Sequence, residues 1–145
     1  MLDKLKQWEY SVSAGYTVRG YYTEPTGKPV IHFLHGNGYC GLVYEEMLAP
    51  LTEHYDLFIS DIQGHGESDV GGHFRGWNRN AELCTEVWQH YKNELWGDVP
   101  SVALGHSFGA VLSALMMANH PDLFDRGILL DPVFLNKSLM RMVVL

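Results

Sequence analysis

The chain has 145 residues, enough for about one domain, and its 46% hydrophobic and 19% charged residues exclude a disordered polymer. The formal net charge is −7, from 17 acidic and 10 basic residues with no block of Lys or Arg. That balance offers nucleic acid no electrostatic footprint and would be repelled by an anionic membrane surface. The two cysteines, Cys40 and Cys84, match neither a zinc pattern nor a redox C-x-x-C and read as reduced thiols. The opening residues lack an apolar signal region, and no apolar run is long enough to span a bilayer, so the expectation is a cytoplasmic protein.

In chain order, Trp8, Tyr10 and Val12 alternate with polar residues and predict a first strand. Residues 16–23 repeat that period and form its hairpin partner, with Ala14-Gly15 as the turn. The character then changes. Val30-Ile-His-Phe-Leu34 is nearly continuous apolar sequence, as in a strand buried on both faces, and it runs into His35-Gly36. A helix is predicted over about 42–53, with Val43, Met47, Leu48 and Leu51 on one side. Leu57-Phe-Ile-Ser60 is the next buried strand, followed by the glycine-rich loop Gln63-Gly-His-Gly-Glu-Ser68. A longer helix runs from Trp77 to about Trp96, with Leu83, Val87, Tyr91 and Leu95 at four-residue spacing and Gly97 as its stop. Val102-Ala-Leu104 is a short strand, Ala110 to about Asn119 an apolar helix, and Gly127-Ile-Leu-Leu130 a last strand closed by Asp131-Pro132.

Strand–helix repetition with short buried strands predicts an α/β fold: a parallel sheet with helices on both faces and an antiparallel hairpin at its N-terminal side. Ligands of such sheets sit at the carboxyl ends of the strands. The segments 35–38, 61–68, 105–109 and 131–132 each follow a predicted parallel strand, so all four gather along one edge.

Gly105-His-Ser-Phe-Gly109 is G-x-S-x-G between a strand and a helix, the context in which a serine stands on a sharp turn with its hydroxyl exposed. Glycines are needed there because a Cβ would clash where strand and helix approach. The helix that follows points its N-terminus at Ser107 and favours developing negative charge. Read alone, the same five residues also suit a tight turn without chemistry. His35-Gly36-Asn37-Gly38 is a glycine-rich turn that can aim backbone amides outward, as an oxyanion requires. In 61–68, Asp61 and Ser68 read as residues that satisfy backbone groups rather than as catalytic ones.

These three motifs, in this order, resemble the α/β-hydrolase superfamily, in its serine-nucleophile branch and its N-terminal part only. The resemblance covers essentially the whole chain and implies an incomplete α/β-hydrolase fold. It implies Ser107 as nucleophile, the backbone N–H groups of Asn37 and Phe108 as the oxyanion hole, and His35, Gly36, Gly105 and Gly109 as structural residues near the site. Serine at the elbow argues against the epoxide-hydrolase and dehalogenase branches, which carry aspartate there. No cofactor is implied, and the histidines form no metal-ligand spacing. The expected substrate is a small carboxylic ester or thioester. A nucleotide-binding reading lacks both a G-x-G-x-x-G after the first buried strand and a P-loop lysine.

The family order is serine, then acid, then histidine. Only 38 residues follow Ser107 (145 − 107), and their one histidine is His120. A continuous helix would carry His120 roughly 20 Å from the serine, beyond the reach of a general base. Asp131 follows a strand on the catalytic edge and reads either as the acid or as a turn residue before Pro132. The expectation is therefore a division into residues 1–132, the N-terminal part of a hydrolase core, and residues 133–145, the truncated start of a cap or connecting segment, without the catalytic histidine. A non-catalytic, hydrolase-like module that completes its sheet by homo-oligomerisation is the alternative.

Overall fold

The computed structural model of the chain describes residues 2–134. Six strands form one mixed sheet: β1 (Lys6–Ser11), β2 (Thr17–Tyr22), β3 (Val30–Leu34), β4 (Asp56–Ser60), β5 (Ser101–His106) and β6 (Arg126–Leu130). Their order across the sheet is β1-β2-β4-β3-β5-β6. The first two strands and the β2–β4 pair are antiparallel, and the β4-β3-β5-β6 half is parallel. The α-helices are α1 (Glu45–Leu48), α2 (Trp77–Tyr91) and α3 (Phe108–Asn119).

Every residue of β3 and β4 is buried, which explains their unbroken apolar sequence: both faces of the parallel half are covered. Side chains alternate between two cores. On one face, Val30, Leu34, Phe58 and Ala103 pack with Leu83, Val87 and Trp88 of α2 and with Leu112 and Met116 of α3. On the other, Ile31, Phe33, Leu57, Ile59, Val102 and Leu104 pack with Leu48 of α1.

Besides the β2–β4 pairing, one large side chain of the hairpin reaches across the sheet into this core. Trp8 lies opposite Gly20, and a Cβ on Gly20 would meet the Trp8 ring at 2.6 Å and the Ile59 carbonyl oxygen at 2.0 Å. The bare glycine lets the indole cross β2, donate from Nε1 to the Ile59 carbonyl at 3.1 Å and stack on Phe58 with ring centroids 4.8 Å apart.

Two helices differ from their sequence patterns. The segment predicted as one helix over 42–53 is a 3-10 stretch (Gly41–Tyr44), a single α turn (α1) and another 3-10 stretch (Ala49–Glu53). Pro50 explains the break, because it lacks an N–H and its ring crowds the carbonyl four residues earlier. Leu48 faces the core, whereas Val43 and Met47 are exposed. The long helix ends its α geometry at Tyr91, and Lys92–Trp96 widen into a π turn that closes at Gly97 (φ 58°) through a bond from the Gly97 N–H to the Lys92 carbonyl. No helix among the described residues is long and apolar enough to cross a membrane. The segment expected from 133 onward lies outside the described residues beyond position 134.

Candidate active site

Strand register brings the two glycine-rich motifs together. Leu34 of β3 lies opposite Gly105 of β5, so Asn37 and Phe108, each three residues further on, leave neighbouring strands at the same edge. The approach is close. A Cβ on Gly109 would lie 2.2 Å from the Leu34 carbonyl oxygen, and one on Gly105 would lie 2.4 Å from the Gly109 carbonyl oxygen. Both contacts are with backbone, which cannot move aside, so glycine is required at both positions.

Between β5 and α3 stands a single residue, Ser107, with φ 52° and ψ −113°. Positive φ is uncommon for serine and signals local strain. Ser107 N–H donates to the Leu130 carbonyl of β6 at 2.8 Å, and its own carbonyl accepts from Ala110 and Val111. The turn is thus held from both sides. Its side chain is half-buried at the N-terminus of α3. The Phe108 ring packs between Phe74 and Trp77, with centroids 5.9 and 5.5 Å away.

The 35–38 turn is held by a set of side-chain bonds. His35 is fully buried. Its Nε2 accepts from the Ile62 N–H at 2.9 Å, so Nδ1 carries the proton and donates to the Gly36 carbonyl at 2.8 Å. Burial pushes its pKa down, against the opposing pull of the Gly36 carbonyl. His65 works similarly: Nε2 accepts from the Gly38 N–H at 3.0 Å and Nδ1 lies 2.9 Å from the Gln63 carbonyl. The side-chain amide of Asn37 also lies 3.2 Å from His65 Nε2. The Gly36 N–H donates to the Tyr44 hydroxyl at 3.0 Å, and that hydroxyl lies 2.6 Å from Nδ1 of His106. The backbone N–H groups of Asn37 and Phe108, by contrast, have no protein acceptor among the described residues.

Asp61 and Ser68 satisfy backbone groups, as their place in the loop suggests. Asp61 accepts from the Gly41 and Glu67 N–H groups at 2.8 and 3.0 Å, while Ser68 accepts from Arg19 N–H and donates to the Asp61 carbonyl. Asp131 follows β6 on the same edge as Ser107, exposed and at φ 45°, without a histidine partner among the described residues. His120 ends α3, where Nε2 lies 3.2 Å from both carboxylate oxygens of Glu82. Among the described residues, no group of three or more His, Cys, Asp or Glu side chains could hold a metal ion. Sequence reasoning missed Tyr44: the signal was its place four residues before buried Leu48, but the apolar count favoured Val43 and Met47.

The sequence profile of the family described as "Serine aminopeptidase, S33" matches residues 25–144. The chain belongs to this α/β-hydrolase family. Among relatives of this S33 chain, the monoglyceride lipase of Mus musculus is 34% identical over 121 residues, which cover 79% of the chain and 39% of that protein. Lipase LipV of Mycobacterium tuberculosis is 31% identical, covering 83% of the chain and 44% of that protein. A hydrolase from Pseudomonas aeruginosa superposes with a TM-score of 0.82 at 19% identity, over 96% of the chain and 52% of that structure. A thermostable carboxyl esterase from Bacillus coagulans does so with a TM-score of 0.75 at 22% identity, over 86% and 43%. The S33 chain thus spans about two fifths of the length of these curated relatives, and its sheet is the corresponding part of an α/β-hydrolase fold.

Proposed function

We propose that Ser107 is the nucleophile of a serine hydrolase that cleaves carboxylic esters or thioesters through an acyl-enzyme. The observation that carries this reading is the strained Ser107 at the N-terminus of α3, beside two backbone N–H groups left without acceptors. In the reaction, Ser107 Oγ bonds to the acyl carbon while its proton passes to a histidine, and the carbonyl oxygen takes up negative charge. The N–H groups of Asn37 and Phe108 receive that charge. The tetrahedral species collapses, the alcohol or thiol leaves with the proton, and water releases the acid in a second round. Ester-cleaving relatives named as lipases and an esterase support the substrate class.

The histidine base belongs, on this reading, to sequence that the longer relatives have and this chain does not span. His35 and His65 have both ring nitrogens engaged, and His120 pairs with Glu82 at the far end of α3. Asp131 stands on the right edge to act as the acid, but the αL turn before Pro132 accounts for it equally well.

The test is to treat the 145-residue chain with a fluorophosphonate and read intact mass, with Ser107→Ala as control. The expected result is one slow adduct that the control lacks, because oxyanion donors and a helix N-terminus retain part of the reactivity without a complete triad. Its rate keeps rising with pH beyond about 7, where a histidine base would level off. An adduct that persists in Ser107→Ala, or a folded chain that never labels, would sink the proposal.

A second reading is favoured by the surface beside β6. Ile128 is 49% exposed and shares an apolar groove with Met47, Leu51, Val102 and Leu130. A second copy seated there would complete the sheet of a non-catalytic module.

A further inference from the structure

The structure assigns Tyr44 a positioning role in the reaction proposed above, and the assignment rests on that reading of Ser107. Tyr44 lies in neither motif. Its hydroxyl nevertheless joins them, accepting from the Gly36 N–H at 3.0 Å and meeting His106 Nδ1 at 2.6 Å. Gly36 immediately precedes Asn37, and His106 stands two residues before Phe108. One oxygen atom therefore ties the two chain segments whose N–H groups would share the oxyanion.

Proton counting fixes the direction of the first of these bonds. An amide N–H can only donate, so the phenol oxygen accepts from Gly36. The phenol has one proton, and His106 Nδ1 is its only acceptor among the described residues. Given to His106 Nδ1, that proton leaves the ring proton on Nε2, the tautomer that the experiment below reads. The phenol ring is wedged edge-on against Phe33 and His106, with centroids 4.8 and 5.6 Å away, so the hydroxyl has little freedom to leave the bridge. The neighbouring peptide atoms are held independently, since the Gly36 carbonyl accepts from His35 Nδ1 and from the Tyr39 N–H. What remains for Tyr44 to set is the separation between the two turns. An oxyanion donor works only within a few tenths of an ångström of its proper distance.

The experiment compares the full chain with Tyr44→Phe, which keeps the ring and removes the bridge. Nitrogen-15 spectra of His106 report the tautomer, and fluorophosphonate labelling of Ser107 reports the reaction. The expected result is loss of the single Nε2–H tautomer together with a maximal labelling rate about tenfold lower, less than the loss of a whole donor. The half-saturating probe concentration and the melting temperature stay near those of the parent chain, which separates positioning from a general loss of structure. Labelling of Tyr44→Phe at the parent rate, or His106 nitrogen shifts that do not move, overturns the role of Tyr44 while leaving Ser107 as nucleophile. Failure of the parent chain itself to label Ser107 overturns the function proposed above, and the positioning role with it.

Discussion

At the scale of single residues, the molecule carries a buried imidazole that the proposed reaction does not use. His32 of β3 is completely buried, stacked on Phe58 and tilted against Trp88 and Phe124, and neither ring nitrogen has a hydrogen-bond partner among the described residues. Burial pushes its pKa from 6.5 down to about 3. Between those values the unfolded chain binds a proton that the folded chain refuses. Stability is therefore full above about pH 6.5 and falls with acidification, by about 2 kcal/mol at pH 5 from this group. His32→Phe should flatten that part of the slope and add about 1–3 kcal/mol at neutral pH by removing unsatisfied nitrogens. Urea titrations at pH 7.5 and 5 on both proteins measure the difference. The same acid loss in both would remove His32 as its source. None of this was legible in the sequence, where a histidine inside an apolar strand looks the same whether or not it finds a partner.

At the scale of elements, the hairpin depends on contacts that cross strands. β2 joins the parallel half through the register pairs Gly20↔Ser60, Tyr21↔Ile59 and Tyr22↔Phe58, and Trp8 reaches over Gly20 to the same stretch of β4. Trp8→Phe keeps most of the ring but loses the bond to the Ile59 carbonyl, at a cost of about 1–2 kcal/mol. Hydrogen exchange should then quicken in β1 and β2 well before β3 and β5. Uniform acceleration across all strands would mean that the hairpin is not a separable unit. The strands were readable because a sheet covered on both faces forces contiguous apolar sequence, and the two turns because close backbone approach forces glycine at 105 and 109 and a positive φ favours it at 38. Residues 42–53 were less readable. Their apolar spacing suits a helix, but Pro50 breaks the hydrogen-bond ladder, and Val43 and Met47 are exposed. Tyr44 escaped notice for a related reason, since it ends a 3-10 stretch and its bond reaches His106 of β5, 62 residues away in sequence.

At the scale of the whole molecule, the interior of the sheet and its β6 edge differ. Its interior strands are sealed between two cores, whereas β6 has exposed or half-buried residues throughout. If a second copy covers that face, sedimentation of the chain should show self-association that Ile128→Lys weakens. A monomer at all concentrations would discard the oligomeric reading and leave the hydrolase reading untouched. The overall architecture followed from the order of strands, helices and glycine turns. The distance of His120 from Ser107 did too, because a histidine at the end of a twelve-residue helix cannot return to its start.

The conformation of Ser107 has a consequence for when its turn can form. Its turn is enforced by the Leu130 carbonyl from β6 and by the packing of Gly109 on the Leu34 carbonyl of β3, two strands on opposite sides of β5 and distant in sequence. No short peptide containing the five motif residues has those walls. The strained turn forms only when the sheet has assembled around it, so a nascent or locally opened chain holds Ser107 in ordinary, relaxed backbone. Assembly of the sheet and the setting of this turn are one event.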